Sequence, residues 1–464
     1  MPHRRSGLSL LSLTTPILLE NTLRMAMGTV NVFMLGRYSD NAVGAVGVAN
    51  QVVNMVLMLY SVTASGAAII SNQYLGAGQR REAKHLGAVA VWLSALLGIV
   101  LSALTFVFAE PIMVLMNLPP ELRIDGTLFL RIIGGTSFIQ AMTSTMSAVA
   151  RSHGMAKLPM VMAFVMNCIN LVGNWLVLYR PIPMPVQGVA GVAFSQVFAA
   201  FCGFLLMVWL LTKKVGVSLS LRNLWPLPRR EIGQIVRVGL PAGIEFFSYS
   251  FAQMMSTYLV GMLGSEAITA RVYVQNIVFF VYVFALSVGQ ASQIMIGHLV
   301  GSGRFAEANR RNWVNLGLAI GANAVLSLVA MAFRFQLIGI FTDNPEIIRL
   351  GAAIMVVDFL VEIGRAMNVV QSNSLRGAGD VRFSMVVAIV VMWSVGVLSS
   401  WMLGIVAGLG LAGIWLGFAC DEWVRGILVM WRWRGGKWRE KRIISVTAVH
   451  ADVQPLLDAE SGNG

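Results

Sequence analysis

Charged residues are scarce in this chain. Of its 464 residues only 12% are Asp, Glu, Lys or Arg, about half the fraction typical of soluble domains. A water-soluble enzyme or binding module fits that composition poorly. Cysteine is scarcer still. Cys168, Cys202 and Cys420 are the whole complement, and with no CxxC or Cys/His spacing they offer neither a zinc site nor a disulfide framework. They read as small apolar core residues. No His-rich tract, metal-ligand spacing or nucleophile constellation occurs, so the chain is expected to be no enzyme and to hold no metal or cofactor. Gly76-Ala77-Gly78 and Gly301-Ser302-Gly303 fall short of phosphate loops, because neither leads into Lys-Ser/Thr. They read as turns. With no ATPase apparatus in view, the chain must draw on an ion gradient or on its substrate.

What is abundant is apolar. Hydrophobic residues make up 57% of the chain, and the mean hydropathy is +0.73. They fall in blocks of about 20 residues or more, long enough for a helix to cross a hydrocarbon core of roughly 30 Å. Lipid leaves backbone polar groups no outside partner, so such blocks should be helices. Twelve are expected, near 10–36, 43–73, 86–109, 126–150, 157–179, 188–212, 236–262, 266–299, 312–335, 347–374, 382–405 and 409–431. The first is read as a retained span rather than a cleaved leader, since no small-residue cleavage site follows it.

The net charge of +13 suggests nucleic acid until its distribution is counted. With a cytoplasmic N-terminus, 24 Lys/Arg lie in cytoplasmic segments, 7 in the opposite loops and 3 within helices. That asymmetry is a topology signal. It places both termini in the cytoplasm and the chain in the inner (plasma) membrane, with the bilayer rather than nucleic acid as its surroundings, and as a monomer.

The sequence also repeats itself. A shift of 225 residues lays Pro16 on Pro241, Glu20 on Glu245, Gly76 on Gly301, Arg151 on Arg376 and Gly154 on Gly379. Six spans per half is an even number, so the halves enter the membrane in the same orientation, related by an axis along its normal. Transporters commonly place their substrate site at such an interface, near the midplane. The expected organisation is a first lobe over 1–212, a cytoplasmic loop over 213–235, a second lobe over 236–432 and a disordered cytoplasmic tail over 433–464. Trp431, Trp433 and Trp438, among arginines, read as a membrane-surface anchor.

The repeated segments carry a family resemblance. The first half reads MLGRYSDNAVGAVGVANQV, SNQYLGAGQRREAKH and ARSHGMAKLP; the second reads GMLGSEAITARVYVQN, IGHLVGSGRFAEANRR and SLRGAGDVRFS. In order, spacing and duplication these resemble the MATE (multidrug and toxic compound extrusion) transporters, and FTDNPEIIRLGA looks like a bacterial branch. The likeness covers nearly all of residues 10–430. It implies an all-α membrane protein of twelve helices, in two six-helix bundles forming a V around a central cavity. It also implies export of organic, often cationic, compounds in exchange for H⁺ or Na⁺. The family often has an aspartate in span 1 where Asn31 stands here. Members with a later glutamate in span 7 are not matched either, since Tyr249 stands about there.

Ionisable groups inside a span are costly and are functional candidates. Glu20, Arg24 and Asn31 lie within about 40° of each other on one face of span 1, where Glu20 and Arg24 form either a structural pair or a cavity-facing switch. Glu245 has Tyr249 where its counterpart has arginine, so it lacks a local counter-ion, and an unpaired carboxylate in low dielectric favours taking up a proton. Span 10 carries Asp358, Glu362 and Arg365 within an arc of about 60°; Ser137 and Gln140 stand at the first-half positions of the latter two. Span 12 carries Asp421, Glu422 and Arg425, nearer the cytoplasmic surface. The ion-coupling candidates are thus Glu245, Glu362, Asp358 and Glu20, with Arg24 and Arg365 as charge partners. Candidate cavity residues are Asn31, Gln51, Asn54, Tyr249, Gln275 and Asn276. Amides such as Asn167, Asn170 and Asn174 on span 5 serve either as helix glue or as ligands.

Two functions follow. One is an ion-coupled exporter of organic, cationic drugs or metabolites. The other is a flippase for lipid-linked oligosaccharide or lipid, which needs arginines for a pyrophosphate head. Arg24 and Arg365 each sit beside a carboxylate, which favours the exporter. Sodium wants several oxygen ligands at once, and few are offered, which favours H⁺ while leaving Na⁺ open.

Overall fold

The computed structural model describes residues 8–36, 39–179, 188–220 and 228–444. Each of the twelve apolar blocks is helical. Spans 1 to 3 are Leu10–Gly36, Asp40–Gly76 and Arg80–Val107. Span 4 is broken into Pro120–Gly135 and Phe138–Ser152, and spans 5 and 6 are Lys157–Tyr179 and Gly188–Leu210. Spans 7 to 9 are Arg229–Gly261, Ser265–Gly301 and Phe305–Ala332. Span 10 is Pro345–Ala378, span 11 runs from Val381 to Val406, and span 12 is Gly410–Arg434. Seven of these helices are long and apolar enough to cross a bilayer by length and composition alone. The other five are spans 1, 7, 10 and 12, which carry the ionisable side chains, and the broken span 4.

The break in span 4 is held by hydroxyls. Ser137 at the gap shares a hydrogen bond of 2.7 Å with the Tyr60 hydroxyl of span 2 and one of 3.0 Å with Ser102 of span 3. Ser102 also accepts the backbone N–H of Phe138 at 2.9 Å. The interruption therefore leaves no orphaned donor there. Span 10, its counterpart, is continuous and bears Glu362 at the position equivalent to Ser137. Span 11 instead contains two π-helical stretches, Met392–Val397 and Met402–Val406, a feature often found at functional sites.

The halves form a V. They meet through spans 1, 2, 7 and 8, and the contact lies at one end of each. Gln73 of span 2 donates to Gly377 O at the end of span 10 (3.0 Å). His298 of span 8 donates through Nε2 to Ser152 O at the end of span 4 (2.8 Å). Under the 225-residue shift these are the same bond made twice. Gly76 abuts the His298 backbone and Gly301 abuts the Gln73 backbone, so neither has room for a Cβ. Asn72 packs on Gly297, its own counterpart, which puts the pseudo-twofold axis between them. Towards the other ends the lobes part: Gly28 and Gly261 have no neighbour for a Cβ, and Tyr258 and Phe280 are exposed.

Two expected boundaries shift. Span 6 continues as a π turn over Leu211–Val215 and span 7 starts at Arg229, after Pro228 at its N-cap, so helix invades both ends of the expected 213–235 loop. At the C-terminus, residues 435–444 are ordered. Trp438 lies flat on Trp433 with ring centroids 4.2 Å apart, and both are buried. Only Trp431 of the expected surface anchor is exposed. Two aromatic rings that stack on each other, one of them meeting Phe305 edge-on, bury more apolar area together than a membrane surface offers. Expected disorder over 445–464 lies outside the described residues.

Candidate functional site

A cavity of about 470 Å³ lies within the second lobe, between spans 7, 8, 10, 11 and 12. Aromatic rings form much of its wall: Phe246, Tyr249, Phe279, Tyr282, Trp415 and Phe418. Span 11 contributes Met392, Gly396 and Val397 from its first π stretch. Gly396 lets that helix pack closely on Asp421 of span 12.

Charged groups are concentrated at this cavity. Asp358 is buried and accepts a hydrogen bond from Trp415 Nε1 at 3.0 Å. Glu362 is fully buried, pairs with Arg365 one turn on, and accepts from Asn323 Nδ2 of span 9 at 3.4 Å. Arg365 reaches across to Glu422 of span 12 at 3.3 Å and lies over the Tyr282 ring, 5.6 Å from its centroid. Glu422 also accepts from Asn368 Nδ2 at 2.8 Å and meets Arg425 at 3.4 Å. Arg425 pairs with Asp421, its Nε donating at 2.9 Å. All three span 12 groups are buried and line the cavity rather than lying near a surface.

Glu245 is not without a counter-ion. Arg376, at the far end of span 10, pairs with it. In the first lobe Arg151, at the end of span 4, pairs with Glu20 at 2.9 Å, and Arg24 adds a second contact at 3.1 Å. These are one ion pair repeated by the 225-residue shift, tying span 1 to span 4 and span 7 to span 10. The alignment of Glu20 on Glu245 and of Arg151 on Arg376 held that signal. Counter-ions sought only on the same helix missed it.

The charge balance of the lobes differs. Glu245, Asp358, Glu362, Asp421 and Glu422 face Arg365, Arg376 and Arg425, so the second-lobe network holds five carboxylates and three guanidiniums. Arg271, also buried in that lobe, meets Gln253 Oε1 at 3.2 Å and no acid. The first-lobe centre has two arginines for Glu20 alone. Two surplus carboxylates in a buried network require protons or bound cations, since isolated buried charge is prohibitively costly.

The uncharged candidates divide. Gln275 and Tyr249 line the cavity; the Tyr249 hydroxyl accepts from Gln253 Nε2 at 2.6 Å. Gln51, Asn54 and Asn276 are exposed on the parted halves of spans 2 and 8, where a water-filled cleft suits amides better than lipid. Asn31 is turned to span 5 and accepts from Asn174 Nδ2 at 2.8 Å, while Asn167 Nδ2 donates to Leu23 O at 2.8 Å. The asparagine face of span 5 thus fastens it to span 1. Trp415, Asn323, Asn368 and Arg376 are site residues that sequence reasoning did not single out.

The sequence profile of the family described as MatE matches residues 16–176 and 241–402, once in each half. The chain is 38% identical over 433 residues to the uncharacterized transporter YisQ of Bacillus subtilis (strain 168), covering 93% of this chain and 95% of that protein. It is 25% identical over 439 residues to the probable multidrug resistance protein NorM of Thermotoga maritima, with 94% of each covered. Among solved structures, it resembles an outward-facing conformation of a multidrug resistance MATE family transporter of the MOP superfamily (TM-score 0.86, 18% identity, 93% and 96% covered). It also resembles a MOP superfamily transporter from Pyrococcus furiosus described as having a binding pocket of reverse polarity (TM-score 0.85, 18% identity, 94% and 100% covered).

Proposed function

The chain belongs to the MatE family of membrane transporters, and on that premise we propose that it is an antiporter exporting organic cations in exchange for protons. The observation that carries this reading is the second-lobe cavity with aromatic walls, whose four lining carboxylates, together with Glu362 buried behind Arg365, outnumber the three guanidiniums by two. An organic cation finds ring faces and negative charge there. Protons entering from the opposite side neutralise the same carboxylates and release it, so each ligand favours a different conformation.

Asp358 and Glu362 are the proposed proton carriers. Among the described residues no arginine forms an ion pair with Asp358, and Glu362 shares Arg365 with Glu422. The partners of the network's acids are largely N–H donors: Trp415, Asn323, Asn368 and the guanidiniums. Such a shell suits a proton better than sodium, since a hard cation needs several oxygen ligands. Glu20 and Glu245, each tied to an arginine by the repeat, serve as hinge points that brace span 1 against span 4 and span 7 against span 10. A lipid pyrophosphate would need several arginines free of acids; Arg365, Arg376 and Arg425 are each paired with one, which leaves Arg271 by itself.

Positive charge in the sequence puts the ends where the lobes meet on the cytoplasmic side. The conformation is then outward-open, with drug release and proton entry facing out. Dye efflux from proteoliposomes under separate ΔpH and Na⁺ gradients tests the whole reading. Export should follow ΔpH, and Glu362→Gln should weaken that response while the protein still inserts. Export driven by Na⁺ alone, or unaffected by Glu362→Gln and Asp358→Asn together, would sink it.

A further inference from the structure

The segment after span 12 crosses from one lobe to the other. Its base is fixed to the second lobe. Trp438 is fully buried, stacks on Trp433, meets Phe305 edge-on at 6.0 Å, and donates from Nε1 to Trp433 O at 2.9 Å. Arg442 donates to Gly301 O at the end of span 8. Lys441 O sits against Gly379, the residue in the left-handed region that ends span 10, and leaves no space for a Cβ there. Its tip reaches the first lobe. Ile443 packs on the apolar cluster that includes Leu86, Val215 and Val217, and the Ile443 N–H donates to Gln73 Oε1 at 2.8 Å.

Gln73 is the junction. It is fully buried in the last turns of span 2, and its side chain spends both of its functional ends on the closure. The amide Nε2 donates to Gly377 of the second lobe, and Oε1 accepts from the segment. Its pseudo-twofold counterpart, His298, makes the reciprocal bond to Ser152 but, among the described residues, has no such segment on its side. The closure is therefore symmetric in its lobe-to-lobe bonds and asymmetric in this one addition. When the lobes part at this end, Gln73 must leave Gly377, and Ile443 must either leave Gln73 and its apolar seat or come away from Trp433 and Gly301.

We infer that residues 437–444 are a strap that holds the lobes together at the closed end through Gln73, biasing the transporter against the state open on that side. The inference rests on the alternating-access reading above, but the measurement that tests it needs neither substrate nor ion gradient. Its failure is therefore distinct from failure of the antiport assignment.

Spin labels at Arg81→Cys and Ala306→Cys, exposed and equivalent under the repeat, report lobe separation in a background whose three native cysteines are replaced by serine. Pulsed dipolar spectroscopy on the full chain gives the reference distribution. A chain ending at Ile444 should reproduce it. A chain ending at Gly436 should raise the ratio of separated to closed molecules at least about fivefold, the weight of one net hydrogen bond. Ile443→Pro deletes the donor to Gln73 and takes the Ile443 side chain out of its apolar seat while leaving Trp438 and Arg442 in place, and Arg442 already has the extended backbone (φ −54°, ψ 129°) that precedes proline readily. It should shift the ratio in the same direction, and it decides the matter should the shorter chain fail to fold. Unchanged distances in Ile443→Pro would overturn the strap. So would an equal shift in the chain ending at Ile444, which would place the device beyond it.

Discussion

Counting charge in the second-lobe network leads to a stoichiometry. Five carboxylates and three guanidiniums leave two negative charges that protons can neutralise in one turnover. One pH unit across the membrane is worth about 1.4 kcal/mol per proton, a tenfold ratio. Two protons against one monovalent cation, with the membrane potential clamped at zero, therefore sustain a dye ratio of about 100-fold per pH unit at static head. Glu362→Gln removes one carboxylate and leaves a surplus of one, so the sustained ratio should fall to about tenfold per pH unit. Asp358→Asn should give the same value by the same count. Neither substitution alters side-chain volume appreciably; at position 362 the amide oxygen serves Arg365, and Asn323, whose Oδ1 is otherwise unpartnered, can turn to accept from the amide NH2. The assay is dye accumulation into inverted proteoliposomes at steady state, with potassium and valinomycin clamping the potential. Counterflow of labelled against unlabelled dye, which needs no proton, checks that each variant still cycles. A variant that passes counterflow and still holds a hundredfold ratio would refute the charge count, however slowly it reaches that ratio.

Three further outcomes follow from the geometry. Gly76→Ala and Gly301→Ala each place a methyl against backbone across the seam; both should favour the separated state to a similar extent, and thiol accessibility at the closed end checks it. In a double-mutant cycle on thermal stability, Glu245→Gln and Arg376→Gln should couple by about 1–3 kcal/mol, less than the 3–5 of a fully buried pair because both side chains are nearly a fifth exposed; a coupling near zero would remove the bracing role. Reporter fusions after Thr212 and after Ile444 should both give cytoplasmic signals, and a periplasmic signal at either point would reverse the assigned sidedness.

The fold was largely legible in the sequence because lipid imposes it: long apolar blocks have one structural solution, and an ungapped repeat fixes how two halves relate. The site was legible in part. Asp358, Glu362 and Arg365 announce themselves as charges one turn apart on one helix. The partners that define their chemistry do not. Glu422 is 57 residues from Arg365, and Trp415 is 57 from Asp358, and no helical periodicity links positions on different spans. Glu245 and Arg376 are 131 apart, and only the duplication relating them to Glu20 and Arg151 makes that pairing readable. The ordered segment around Trp438 escaped for another reason. Its basic composition resembles a solvated tail, and its order comes from a stacked tryptophan that only the fold brings into place.

Ser137 and Glu362 occupy the same socket in two copies of one ancestral bundle. In the first copy the socket is filled by a trio of hydroxyls shared with Tyr60 and Ser102, which bridge a gap in the helix. In the second the helix runs unbroken past a carboxylate. A hydroxyl trio neither gains nor loses charge as the medium changes, so that socket is chemically inert to a proton gradient. The engine is consequently lopsided although its frame is symmetric. On the proposed antiport reading, fuel is consumed in one lobe, and the other acts as the fixed jaw against which the first must push.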